Sequence, residues 1–346
     1  MEKFNPAQTI SSDFGIFGIP TSERDARLIL LPVPWEVTTS YGKGASHGPR
    51  IIRQASEQID LFDLETGKSY EAGYFMRPSS DSIFQKNIDM KLLAQELISM
   101  KTEMINDPKK ETEILAKVNS SCSEMVEWVY QQSKEILNQG KLLGLVGGDH
   151  STPLGAIKAL SEKFKGNFGI LHFDAHADLR CAYQGFKYSH ASIMYNVVTS
   201  DFKPSKLVQV GIRDFCEDEY LFIQDTKNRI KTFFDIENKR RQMQGETWAQ
   251  ICQDIINELP QNVYISFDID GLDPALCPNT GTPVAGGLNL NEAFYLFRAL
   301  AESGRKIIGF DLNEVSTGNN EESEWDGNVG ARVLYKLCGW SIISNK

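Results

Sequence analysis

The sequence predicts an α/β protein of three layers, α-β-α, built on a mostly parallel central sheet. Three observations carry that prediction. Apolar runs of seven to nine residues alternate with longer amphipathic stretches. Most of those runs are apolar on both alternations, as a strand covered on both faces requires. Several of them end in an acid or a histidine, and open α/β sheets collect their working residues at strand carboxyl ends.

The first 27 residues show no such pattern and read as an irregular N-terminal extension, ahead of a single domain over 28–346. "LILLPVP" (28–34) is the first predicted strand. His47 follows "YGKGAS" and precedes Gly48-Pro49, a turn-rich stretch opening a helix, and reads as structural. Residues 80–140 break the alternation. "DMKLLAQELISMKTEMI" and "EMVEWVYQQSKEILNQ" are helical and flank a polar "NDPKKET", so a helical insertion is expected there. "KLLGLVGG" (141–148) is a strand. The helix after it, "TPLGAIKALSEKF", puts Leu154, Ile157, Leu160 and Phe164 on one face. Ser151 or Thr152 is expected to cap it, with Pro153 in its first turn. "FGILHFD" (168–174), "KLVQVGI" (206–212), "NVYISFDID" (262–270) and "KIIGFDL" (306–312) are further strands, and "NEAFYLFRALAES" (291–303) is a helix.

At 346 residues, 41% hydrophobic and 24% charged, the chain has ordinary globular composition. Its net charge of −10 argues against a nucleic-acid partner. "MEKFNPAQTI" has no basic region ahead of an apolar core, so no secretory signal is read. No apolar run approaches the ~18 residues of a membrane span. The six cysteines are scattered without a CxxC pair, which suits reduced thiols in a cytoplasm. Cys181 is read as a buried small hydrophobe, with a reactive thiol beside the motif as the other reading.

The strand ends carry the chemistry. "GLVGGDHS" ends in Asp149 and His150, and "GILHFDAHAD" in Asp174, His176 and Asp178. "VYISFDIDGLDP" ends in Asp268, Asp270 and Asp273, and "IIGFDLNEVS" in Asp311 and Glu314. Strand alternation points residues two apart to one side, so Asp174, His176 and Asp178 can converge, as can Asp268 and Asp270. Left unneutralised, such a cluster repels itself. Four aspartates carry −4 and two divalent cations +4. An oxygen-rich set with a minority of imidazole suits two manganese ions, with nickel or cobalt able to take the same positions. Such a pair can share a water and lower its pKa from ~15.7 towards neutrality. Four of the five histidines lie between 150 and 190, and three sit near strand-end aspartates, a coincidence that separates this set from solvated turns. His172 is embedded in its apolar run and is read as supporting the site rather than as a ligand.

Taken together, "GGDHS", "DAHAD", "SFDIDGLDP" and "GFDLNEVS" resemble the ureohydrolase family of arginase, agmatinase and their relatives. "GASHGP" and "NVGARVLYKL" resemble its flanking elements, and the likeness runs from about residue 27 to 340. It implies the arginase/deacetylase-like fold and one catalytic domain over 28–346. The ligands it implies are His150, Asp174, Asp178 and Asp268 for one manganese, and Asp174, His176, Asp268 and Asp270 for the other. It also implies that Asp178 orients the attacking water, that His190 of "YSHAS" shuttles the proton to the leaving amine, and that Glu314 pairs with the substrate guanidinium. By the same resemblance the protein is a homotrimer or homohexamer.

Within the family, the segment "LRCAYQGFKYSHAS" lacks the "NTP" run that holds an arginine α-carboxylate. "HFDAH" and "GFDLNEVS" look more like agmatinase, which makes agmatine, hydrolysed to putrescine and urea, the leading substrate. Guanidinobutyrate, free guanidine, arginine and formiminoglutamate stay open, and Arg180 or Arg213 is placed to bind a carboxylate tail or to form a structural ion pair. A single-zinc deacetylase is the distant alternative, and it leaves several aspartates unneutralised. A non-catalytic subunit is disfavoured because all six ligand positions are intact.

Overall fold

A computed structural model describes residues 15–318 and 323–346. Among them eight strands form one sheet: β1 (Leu28–Val33), β2 (Tyr74–Met76), β3 (Leu142–Gly147), β4 (Gly169–Phe173), β5 (Lys206–Val210), β6 (Ile230–Phe233), β7 (Asn262–Asp268) and β8 (Lys306–Asn313). The order is β2-β1-β3-β8-β7-β4-β5-β6. Every pairing of neighbouring strands is parallel, so the sheet is wholly rather than mostly so. Ten α-helices accompany them: α1 (Gly48–Ala55), α2 (Asp81–Thr102), α3 (Pro108–Asn138), α4 (Leu154–Phe164), α5 (Ile193–Thr199), α6 (Glu217–Asp225), α7 (Asp235–Met243), α8 (Trp248–Asn257), α9 (Leu290–Glu302) and α10 (Trp325–Ser344).

The both-face apolarity of the strands reappears as two cores. Leu28 and Leu30 of β1 join one core with Ile52 of α1, Ile255 of α8, Leu296 of α9 and Leu334 of α10. Ile29, Leu31 and Val33 point into the other, with Leu97 of α2, Val129 of α3, Ile157 of α4 and Val197 of α5. Side-chain alternation along a single strand thus accounts for the three layers. The expected insertion is the helix pair α2 and α3. Asp107 caps α3 through the backbone N–H of Lys110, with Pro108 in the first turn.

Several expectations need correction. The two outermost strands, β2 ("YFM") and β6 ("IKTF"), are absent from the sequence reading. At three and four residues they are too short to give an apolar run, as edge strands often are. Neither Ser151 nor Thr152 caps α4. Pro153 holds that position without a side-chain bond, because Ser151 instead donates to the Asp149 carboxylate and Thr152 to Asn313 Oδ1. Cys181 is exposed. Of the expected N-terminal extension, residues 1–14 lie outside the described residues, while Ile16 and Phe17 are buried in the first core, Phe17 edge-on to Tyr74 and Tyr335. No helix among the described residues is long and apolar enough to cross a membrane.

Candidate metal centre

Four adjacent central strands, β3, β8, β7 and β4, deliver the candidate residues at their carboxyl ends. His150 follows β3, Glu314 follows β8, Asp268 ends β7, and Asp174 follows β4. Positions separated by up to 164 residues therefore share one floor. His150 Nδ1 lies 3.0 Å from Asp174 Oδ2, 3.2 Å from Asp268 Oδ2 and 3.5 Å from Asp178 Oδ2. His176 Nδ1 lies 3.1 Å from Asp270 Oδ2 and 3.4 Å from Asp174 Oδ1. Asp174 is thus shared between two donor groups, one oxygen to each. Asp268 directs one oxygen at His150 and spends the other on the Asp270 backbone N–H at 2.8 Å.

Strand alternation is not what gathers these side chains. β4 ends at Phe173, so Asp174, His176 and Asp178 lie on the loop beyond it. That loop is shaped by the bond from His176 N–H to Asp174 Oδ1, by the one from Ala175 N–H to Asp270 Oδ1, and by Asp178 at φ +55°. Glu314 has φ +64°. A non-glycine residue in the left-handed region costs on the order of 1 kcal/mol or more, and such strain gathers at functional sites. Two of the candidate side chains carry it.

A buried supporting layer orients the floor. Thr232 donates to Gln209 Oε1, leaving Gln209 Nε2 to donate to His172 Nδ1 at 3.0 Å and to the Ala177 carbonyl. With Nδ1 accepting, His172 is neutral, carries its proton on Nε2, and donates to Asp174 Oδ2 at 2.9 Å. Burial also depresses its pKa. His172 therefore aims Asp174. His150 Nε2 sits 2.8 Å from Ser266 Oγ, whose own proton goes to Asp311, so Nδ1 is the nitrogen turned to the cluster. Replacing His172 by Phe keeps the ring but removes its bond to Asp174. Manganese affinity, read by calorimetric titration, is expected to fall about 10–100-fold. Unchanged affinity would mean that Asp174 needs no such support.

The charges explain what the cluster asks for. Burial and the Asp174 charge push Asp178 well up, burial with Asp270 and Asp174 does the same to Asp268, and burial with Asp268 and Asp149 to Glu314. Burial opposes protonation of His176, but Asp270 and Asp174 outweigh it and hold the ring up to about 12. His150 is raised likewise against burial by Asp174 and Asp268. Asp174 is the exception. Burial would raise it, yet bonds from His150, His172 and His176 hold it well below the carboxylate range. Acids pushed up by burial and by one another's charge, beside imidazoles held up by those same acids, make a set short of positive charge. Divalent cations meet that need with the same donor atoms, so the residues present fit a metal pair.

Above the floor opens a cavity of about 410 Å³ lined by His150, His176, Asp178, His190, Asp268 and Glu314 among others. Glu314 Oε1 accepts the His150 backbone N–H at 2.9 Å, and the other carboxylate oxygen is left for the cavity. His190 is half-buried, edge-on to Tyr183, and pushed down to about 4 by burial and by His176. The two arginines separate. Arg213 is spent on the carbonyls of Asp270, Leu272 and Val284. Arg180 faces the cavity, stacked over Tyr183 and 3.7 Å from Glu219. His47 packs on Phe84 of α2 and does not line the cavity. Asp273 serves a turn, accepting from Ala275 N–H. The rim residues Ser40, Tyr41, Asp214 and Phe215 escaped sequence reasoning, since they stand on loops with no periodicity to mark them.

Comparison with known proteins gives the family and the fold. A model described as the arginase family matches residues 26–339. An N(1)-aminopropylagmatine ureohydrolase of Thermus thermophilus is 30% identical over 315 residues, 91% of this chain and 90% of that one. An agmatinase of Klebsiella pneumoniae is 30% identical over 312 residues, 89% of this chain and 86% of its own. Among solved structures, proclavaminate amidino hydrolase from Streptomyces clavuligerus superposes with a TM-score of 0.73 at 20% identity, covering 98% of this chain and 100% of that one.

Proposed function

The chain belongs to the arginase family of hydrolases acting on guanidino C–N bonds, and from that premise we propose that it cleaves agmatine to putrescine and urea. His150, Asp174, Asp178 and Asp268 would hold one manganese ion, and Asp174, His176, Asp268 and Asp270 the other. Nickel or cobalt suits the same donors. The observation that carries this reading is the convergence of two groups of donor atoms, sharing Asp174, beneath a cavity that also holds Glu314.

When bound, the ion pair supplies Lewis-acid activation of water, bringing its pKa from ~15.7 towards neutrality. The chain's own residues supply the rest. Glu314 accepts guanidinium N–H groups and holds the planar fork with its carbon facing the floor. Asp178, held in its strained conformation, orients the attacking water. His190 is neutral at working pH, so it first accepts a proton and then returns it to the departing amine nitrogen. Water adds to the guanidino carbon, the C–N bond to the chain breaks, and urea and a primary amine leave. The acidic chain and Asp214 at the rim favour a cationic tail. From the family resemblance of its sequence motifs, we propose that the working particle is a homotrimer or homohexamer.

A second reading extends the tail. The Thermus relative carries N(1)-aminopropylagmatine in its name, and Tyr41, which lines the cavity with Asp214, is 80% exposed. A urea-release screen with the manganese-loaded protein separates the readings. Its substrates are agmatine, N(1)-aminopropylagmatine, guanidinobutyrate, guanidine and arginine, with formamide release assayed for formiminoglutamate. The agmatine kcat/KM is expected to exceed the guanidinobutyrate and arginine values by about tenfold or more, the weight of one charge-assisted contact. Urea from none of the guanidino compounds would overturn the proposal.

A further inference from the structure

Helix α2 supplies no donor side chain to the metal centre, yet a buried ion pair ties it to the cavity wall. We propose that Lys91 is a positioning residue that fixes loop 36–44, the loop presenting Ser40 and Tyr41 above the floor, and so sets the binding of the substrate's tail. The inference deepens the proposed guanidino site and rests on it.

Lys91 Nζ lies 2.6 Å from Glu36 Oε1, with side-chain exposures of 12% and 8%, and 3.0 Å from Thr39 Oγ1. One turn earlier on the same face of α2, buried Asn87 accepts the Glu36 backbone N–H at 2.7 Å. Glu36 then closes its own loop. Its second carboxylate oxygen accepts the Gly44 N–H at 2.8 Å, and Gly44 stands at φ +103°, a conformation that favours glycine. The Thr39 hydroxyl donates back to the Glu36 carbonyl at 3.0 Å. Both ends of the loop are therefore gathered on one carboxylate, and Lys91 neutralises that carboxylate.

Between those ends the loop meets a second lining segment of the cavity, 281–284. Gly42 N–H donates to the Gly281 carbonyl at 3.1 Å, and a Cβ on Gly42 would stand 2.5 Å from Gly281 Cα. Gly281 to Val284 line the same cavity as Ser40 and Tyr41. Positions 40–44 are half-buried or exposed, and besides the Ser316 hydroxyl, which donates to the Lys43 carbonyl at 2.6 Å, packing alone does not hold them. Buried ion pairs add little net stability, which makes loop geometry the better account of this one. Without Lys91 the Glu36 carboxylate is stranded, the Gly44 contact loosens, and the wall over the tail shifts. The metal ligands and Glu314 stand on other segments.

The test uses the full manganese-loaded chain. For Lys91→Met, the agmatine KM is expected to rise about tenfold with kcat within about threefold of wild type and bound manganese unchanged. Amide exchange of segment 36–44, followed by mass spectrometry, is expected to quicken about tenfold or more. Lys91→Arg restores both. If Lys91→Met does not fold, Thr39→Val removes one Lys91 contact and is expected to shift KM and exchange in the same direction by a smaller factor. Unchanged exchange in segment 36–44, or a fall in kcat at constant KM, overturns the assignment. Should wild type release no urea at all, the guanidino reading fails, and the exchange measurement still decides whether Lys91 holds the loop.

Discussion

Asp268→Asn is expected to lower urea release by about 10³-fold or more while making the metal-free protein more stable to heat. The loss follows from position. Asp268 ends β7, directs one oxygen at the His150 group 3.2 Å away, and through the other accepts the N–H of Asp270, a member of the second group. An amide keeps that backbone bond but loses the charge that a divalent pair needs. Bound manganese, measured by elemental analysis, should fall below two ions per chain. The gain in stability has the opposite sign for the same reason. Burial, then Asp270 and Asp174, push the Asp268 carboxyl well above its ordinary pKa, so the folded metal-free chain retains a proton that the unfolded chain releases near pH 3.9. Its contribution is full below that pH and is lost as pH rises through the folded value, so towards alkaline pH the buried acid is a burden. Asn removes the burden. The metal-free variant should melt higher than wild type at pH 8, by about 2 °C for each kcal/mol relieved, and the gap should narrow towards pH 4. Adding manganese should reverse the order. Wild-type urea release from this variant would refute the ligand assignment.

The inner sheet was readable because β1, β3, β4, β5, β7 and β8 are covered on both faces, and such burial writes a continuous apolar run into the sequence. β2 and β6 pair on one side only and need just three and four residues, too few to leave a pattern. The α2–α3 pair was readable from its length and helical spacing. At the site, the strand-end acids announced themselves, whereas the reason they meet did not. Alternation predicted a common side for Asp174, His176 and Asp178, but the convergence comes from a loop with Asp178 at φ +55°. The strand order β3-β8-β7-β4, which makes neighbours of residues 150, 314, 268 and 174, has no local signature at all. The supporting residues Gln209, Ser266 and Lys91 look like ordinary polar positions in sequence. Only their partners, 37, 116 and 55 positions away at His172, His150 and Glu36, give them meaning.

Glu314→Gln isolates substrate recognition from the metal floor. The side chain stays nearly isosteric, and an amide oxygen can still accept the His150 N–H that Oε1 accepts at 2.9 Å. The backbone bonds around it, from Glu314 N–H to the Gly148 carbonyl and from Thr280 Oγ1 to the Glu314 carbonyl, do not involve the carboxylate, so φ +64° is preserved. What changes is the oxygen left for the cavity. A carboxylate can accept a guanidinium N–H there with full charge, whereas the amide offers an NH₂ group that repels it. Losing one charge-assisted contact of about 1.5–3 kcal/mol and adding a mismatched donor should lower the agmatine kcat/KM about 10²–10³-fold. Two bound manganese ions should remain. Most of the loss should fall on KM if Glu314 only holds the ground state, and on kcat if it also aligns the carbon for attack. Since the carboxylate is proposed to do both, both constants should move. A variant that binds and cleaves agmatine as wild type does would take Glu314 out of the recognition of the guanidino group.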